Sequence, residues 1–144
     1  MQAEPATLNA DDHLDLADDI MRLGRIRHLP VVSGGALVGM LSQRDLYRAG
    51  LSSLLQLKYT AERDWLSKIP VKAVMATNVI TIDPHASMRR AAARMLEHKI
   101  GCLPVVADGR LVGLLSETDC LRFLTHVLDL AKTRSALPEL VDSD

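Results

Sequence analysis

The apolar positions of this chain change period several times. Leu16, Ala17, Ile20 and Met21 fall on one face at helical spacing behind the acidic pair Asp11-Asp12. That spacing predicts a helix with acids at its positively polarised start and Gly24 as the residue just past its end. Residues 29–32 and 36–41 are short apolar runs with Gly34-Gly35 between them, the signature of a β-hairpin. Ser42 then opens a second helix carrying Leu46, Tyr47, Leu51, Leu54 and Leu55. The order begins again further on. Asp83-Pro84 lead into a helix with Met88, Ala91, Ala92, Met95 and Leu96; residues 103–106 and 110–115 form strands around Asp108-Gly109; Ser116 opens a helix marked by Leu121, Leu124, Val127, Leu128 and Ala131. Residues 79–82 predict a strand leading into this second unit, matched by residues 6–8 in the first, with Thr7 opposite Thr81.

The two units are copies. His28-Leu29-Pro30-Val31-Val32 returns as Cys102-Leu103-Pro104-Val105-Val106, 74 positions later and without a gap. Between residues 26–50 and 100–124, 13 of 25 positions are identical. Two similar units that cannot each bury a full core stack on one another, and their seam is a natural place for a ligand. The pattern divides the chain into a first repeat with its following helix (1–58), a linker (59–70), a second repeat with a C-terminal helix (71–134) and an acidic tail (135–144). Thr60 is a candidate cap for a short linker helix holding Trp65 and Leu66, which Ile69-Pro70 breaks. Trp65 reads as a residue packed under a loop or as an anchor for a partner.

Composition narrows the function classes. A net charge of -1 gives no global attraction to nucleic acid or to an anionic membrane, and one Trp, two Tyr and one Phe make no stacking platform for single strands. No apolar run is long enough to span a bilayer, and no secretory signal opens the chain, so a cytoplasmic protein is expected. Cys102 and Cys120 form neither a CxxC motif nor a disulfide framework. Cys102 reads as a small buried hydrophobe. The five histidines lack zinc-ligand spacing, and no nucleophile motif accompanies the Ser, His and Asp residues, so neither a metal centre nor an enzyme is expected.

A strand–helix–strand–strand–helix unit with LPVV, a glycine turn, LVG and S-x-x-D resembles the CBS domain, named after cystathionine β-synthase, and two tandem copies resemble a Bateman module. The resemblance implies an α/β fold of two β-α-β-β-α repeats packed about a pseudo-two-fold axis. It implies a homodimer and a regulatory role without catalysis. It also implies reversible binding of AMP, ADP, ATP or S-adenosylmethionine between the repeats, with no cofactor required. Carried over residue by residue, it assigns ribose contact to Asp45 and Asp119, and phosphate or ribose contact to Ser42 and Ser116. Base or phosphate contact falls to Thr7 and Thr81. The pairs before LPVV, Arg27-His28 and Gly101-Cys102, would line the clefts. Where the family often has Thr, this chain has Ser42 and Ser116. Repeat 2 follows the lead-in Val71-Lys72-Ala73-Val74-Met75, whereas Pro5-Ala6-Thr7 opens repeat 1 with nothing comparable before it.

Elementary chemistry agrees with the placement. A carboxylate accepts two hydrogen bonds from a cis-diol, and free N–H groups at a helix start attract phosphate. Each Ser-x-x-Asp is equally a capping box that only closes its own helix. Arg27, His28 and Arg44 surround the first motif, against Gly101, Cys102 and Thr118 around the second, so a phosphorylated ligand should prefer the cleft of Ser42 and Asp45. The alternative is a structural or dimerisation module with empty clefts that acts through an unidentified protein partner.

Overall fold

A computed structural model describes residues 1, 3–54 and 59–131; of residues 51–62 it describes no side chains. The side chains of Leu51, Leu54, Leu55 and Thr60, and the tail after residue 131, lie outside that description.

Each repeat builds the same unit. In the first, β1 (Leu8–Asn9) runs parallel to β2 (His28–Ser33), joined by α1 (Leu14–Gly24), and β2 turns back antiparallel into β3 (Ala36–Ser42). Gly34 and Gly35 take φ of 58° and 83°, the left-handed pair that a two-residue hairpin needs, and Asp108 and Gly109 repeat it at 53° and 78°. α2 (Gln43–Leu54) follows. Next come α3 (Tyr59–Leu66) and a short 3-10 turn over Val71–Ala73. The second unit is α4 (Met88–His98), β4 (Cys102–Ala107), β5 (Arg110–Ser116) and α5 (Glu117–Leu130). The strand expected over 79–82 contracts to one parallel bridge, Ile82 to Val105, the counterpart of Leu8 to Val31. Gly24 is the last helical residue of α1, and the left-handed position is Arg25, with Lys99 in the matching place. The backbone N–H of each closes the helix on Met21 and Met95, which stabilises a conformation that costs a residue with a Cβ.

The hairpins meet edge to edge as one five-stranded sheet, β1-β2-β3-β5-β4, rather than as two separate packed sheets. The contact between them is the antiparallel pair Ala36 and Arg110, which are each other's repeat equivalents. Two equivalent residues facing each other across an antiparallel ladder are what a local two-fold axis requires, so the pseudo-two-fold is written into the sheet.

The cores are separate and unequal. The first packs Leu8, Leu14, Ala17, Met21, Leu29, Val31, Leu41 and Leu46 together with Leu66 and Val71. Those last two come from the stretch between the repeats, which therefore closes the first core. Leu14 N–H donates to Ile69 O at 3.0 Å, and Val71 N–H donates to Asp12 O at 2.7 Å. Ion pairs add to this seam, Lys72 to Asp11 at 2.9 Å and Arg63 to Asp19 at 2.6 Å. Trp65 stays 42% exposed rather than packing under a loop. The second core holds Ile82, Ala91, Met95, Leu103, Val105 and Leu115. Nothing equivalent to α3 covers it among the described residues, and α5 buries none of its side chains.

Candidate functional site

The two Ser-x-x-Asp motifs sit where a strand hands over to a helix. Asp45 N–H donates to Ser42 Oγ at 3.0 Å, and Ser42 N–H donates to Asp45 Oδ2 at 3.0 Å. Ser116 and Asp119 form the same reciprocal box. Both motifs are thus caps. The residue before each LPVV strand is fixed over the helix start, since Gln43 N–H donates to Arg27 O at 2.7 Å and Glu117 N–H to Gly101 O at 2.9 Å.

The two carboxylates differ in what remains to them. Asp45 Oδ1 carries no bond among the described residues. Asp119 Oδ2 accepts both the backbone N–H and the hydroxyl of Ser116, at 2.8 and 3.0 Å. Its Oδ1 faces the Met1 amine at 3.7 Å and Arg122 Nη1 at 3.8 Å. Burial pushes the Asp119 carboxyl up, but the Ser116 hydrogen bonds and the two cations together hold it below the ordinary carboxylate value.

A cleft of about 1350 Å³ lies between the repeats. From repeat 1 it is lined by Arg27, His28, Ser42, Arg44 and Asp45, five of the nine residues nominated from sequence. Thr7, Thr81, Ser116 and Asp119 do not line it. Repeat 2 contributes residues 78–80, Gly101, Cys102 and Glu117 to the same cleft. The pairs Arg27-His28 and Gly101-Cys102 therefore share one cavity instead of serving one each, because the antiparallel β3–β5 contact brings the two helix starts to one side. Arg89 and Lys99, which no motif pointed to, also line the cleft, so Arg27, Arg44, Arg89 and Lys99 face the acids Asp45 and Glu117. Apolar lining comes from Met40, Val79, Ile80, Ile100 and Pro104, and from α5 through Leu121, Phe123, Leu124 and Val127. Cations beside an apolar slot with one free carboxylate oxygen suit a flat, hydroxylated, anionic molecule.

His28 is not one of the cations at neutral pH. Burial lowers its pKa below the ordinary 6.5, and Arg27 adds to this, outweighing the opposite pull of Asp45 and Glu117. The folded state thus prefers the neutral imidazole, and the unfolded chain binds the proton first as pH falls. Stability from His28 is complete above the unfolded value of 6.5 and is lost as pH drops through that value towards the lower folded one. Urea midpoints of the wild type and His28→Gln, compared between about pH 7.5 and 5, should show the wild type losing more stability on acidification. Parallel pH curves would contradict the assignment. The Cys102 thiol is pushed up to about 12, chiefly by burial and secondarily by Asp119, and stays protonated as a small hydrophobe. Histidines, cysteines and acids form no metal-holding group of three among the described residues.

A family model described as the CBS domain matches residues 1–52 and 71–126. The chain belongs to the CBS domain family. This tandem CBS pair is 32% identical over 120 residues to the CBS domain-containing protein YhcV of Bacillus subtilis, covering 83% of this chain and 78% of that one. Its fold matches AcuB of Vibrio cholerae with a TM-score of 0.77 at 35% identity, over 94% of each chain. A further match is the CBS domain pair of protein MJ0100 in complex with 5-methylthioadenosine and S-adenosyl-L-methionine, with TM-score 0.68, 26% identity and coverage of 85% and 94%. The inosine-5'-monophosphate dehydrogenase of Korarchaeum cryptofilum also matches this pair, but over 21% of its length. No helix among the described residues is long and apolar enough to cross a membrane.

Proposed function

We propose that this CBS pair is a regulatory module that binds an adenine nucleotide in the cleft between its repeats, with Asp45 holding the ribose and Arg27 and Arg44 meeting phosphate. The observation that carries the reading is the convergence of Arg27, His28, Ser42, Arg44 and Asp45 on one cleft where, among the described residues, Asp45 Oδ1 has no hydrogen bond. The adenosyl ligands of the MJ0100 pair support the ligand class. The ring would lie against Val79, Ile80 and Pro104, and Arg89 and Lys99 add to the attraction for phosphate. Asp119 serves chiefly as the cap of α5. Calorimetric titration with AMP, ATP, S-adenosylmethionine and adenosine tests the assignment. The phosphorylated ligands should bind best, since charge-assisted bonds contribute about 1.5–3 kcal/mol each. Equal affinity for adenosine and ATP would remove phosphate from the reading, and no binding of any of the four would leave a module with an empty cleft.

The module acts as a homodimer through α5. Leu121, Phe123, Leu124, Val127 and Leu130 are 60%, 47%, 51%, 41% and 70% exposed on that one helix. A continuous apolar stripe of this kind is covered in a stable soluble chain, and an isologous pairing covers it with itself. Sedimentation should find a dimer for the wild type and a monomer for Leu124→Asp, with helix content unchanged. A wild-type monomer at high micromolar concentration would refute the dimer. Ligand binding would then reach a partner protein by changing how the two repeats, and with them α5, are held.

A further inference from the structure

Three sulfur atoms meet in the seam between α4 and α5. Cys120 Sγ lies 3.7 Å from Met88 Sδ and 4.0 Å from Met95 Sδ. Met88 and Met95 are seven residues apart on α4 and so project from the same face. Cys120, in the first turn of α5, lies opposite them. All three residues also line the cleft, so the cluster can be reached from solvent.

The first repeat supplies an internal comparison. The positions equivalent to Met88, Met95 and Cys120 are Leu14, Met21 and Leu46, buried to 0%, 2% and 3% exposure in a closed core. A well-packed apolar answer to this position therefore exists in the same chain. Repeat 2 departs from it by placing sulfur at both leucine positions, with Met88 and Cys120 only partly buried beside the cleft and Met95 buried in the second core. Met88 and Cys120 pack against the second core as apolar side chains, and they bring their sulfurs beside that of Met95.

The distances carry a coordination argument. Sulfurs bound to one metal ion at about 2.3 Å stand about 3.8–4.0 Å apart, whether the site is tetrahedral or trigonal. The two edges, 3.7 and 4.0 Å, across which the Cys120 thiol donates to each thioether, lie close to that separation. One thiolate and two thioethers form a soft donor set that selects Cu(I) over zinc or harder ions. Charge agrees, because a monovalent ion with one thiolate is neutral and can sit among apolar side chains, whereas a divalent ion would leave a net charge there.

We propose that Cys120, Met88 and Met95 form a binding site for a monovalent soft metal ion, Cu(I), reached through the cleft. Binding exchanges the Cys120 S–H proton for the ion: the thiol loses H⁺ to solvent, the thiolate takes Cu(I), and no oxidation state changes. The site uses neither Asp45 nor the arginines, although it opens into the same cleft.

The test is an anaerobic titration of the full chain with Cu(I) against a chromophoric Cu(I) chelator, repeated with Ag(I) as a redox-inert probe. One ion per chain should be withdrawn from the chelator. Cys120→Ser should lose affinity by more than about a hundredfold and Met88→Leu by about tenfold or more. Cys120→Leu and Met88→Leu install the residues found at the matching positions of repeat 1, and their metal-free melting curves check that they fold. X-ray absorption of the Cu(I) form should find sulfur-only coordination. Retained affinity in Cys120→Ser, loss on Cys102→Ser instead, nitrogen or oxygen ligands, or failure to compete with the chelator would each overturn the proposal. Nucleotide titration of the metal-free wild-type chain keeps the two readings apart, because it reads the cleft with the sulfur site empty.

Discussion

Asp45→Ala will lose AMP or ATP binding while Asp119→Ala largely keeps it. Both substitutions remove the N3 half of a capping box, so each should lower stability by about 0.5–1.5 kcal/mol, the contribution of one hydrogen bond. Affinity is where they part. Asp45 lines the cleft with Oδ1 free, and removing it deletes the acceptor proposed for the ribose hydroxyls. A hydrogen bond to a charged group contributes about 1.5–3 kcal/mol, or roughly 10- to 150-fold in Kd. Asp119 lies outside the cleft, with Oδ2 bonded to Ser116 and Oδ1 within 4 Å of two exposed cations, so its loss should change affinity by less than about threefold. Calorimetry of the two variants under one set of conditions reads the difference. Equal losses would place ribose binding at both motifs and refute the asymmetry, and no loss from either would reduce both motifs to caps.

Gly39→Ala will destabilise the seam between the repeats. Gly39 is buried on β3, where the chain leading into repeat 2 crosses it, and Met40 and Ala76 exchange two backbone hydrogen bonds of 2.9 Å beside it. A Cβ at residue 39 would collide with Met75 Sδ and stand 2.9 Å from Met75 Cγ and 3.0 Å from the Ala76 carbonyl. The Met75 side chain can rotate away, but the carbonyl belongs to the bridge and cannot. The expected cost is about 1–3 kcal/mol, a fall in melting temperature of roughly 2–4 °C per kcal/mol for a chain of this size. Because Met40 and Ala76 both line the cleft, nucleotide affinity should fall as well. Gly34→Ala is the comparison: φ of 58° strains an alanine there, yet nothing lies within 4 Å of its Cβ. That variant should lose some stability and keep ligand affinity. An unchanged melting curve for Gly39→Ala would mean that the crossing is looser than these distances require.

The repeats, both hairpins, both capping boxes and the family were legible in the sequence, since each depends on interactions within about ten residues. Turn glycines, capping serines and the alternation of apolar residues act locally, and a 74-residue offset copies them intact. The third dimension decided the rest. The stretch read as a linker and lead-in closes the first core through Leu66 and Val71, a role that depends on contacts with Asp12 and Leu14 more than fifty residues away. Having used that cover on repeat 1, the fold leaves α5 of repeat 2 without such cover among the described residues, although its leucine spacing alone suited a core as well as a surface seam. The gathering of Arg27-His28 and Gly101-Cys102 in one cleft follows from the Ala36–Arg110 pairing, and no residue pattern announces which edges of two hairpins will meet. His28 looks basic in sequence and is neutral in the fold, because burial rather than residue type sets its charge. The two aspartates, identical in motif and each followed three residues on by an arginine, Arg48 or Arg122, differ in the fold because the Met1 amine stands beside Asp119 while Asp45 opens on the cleft.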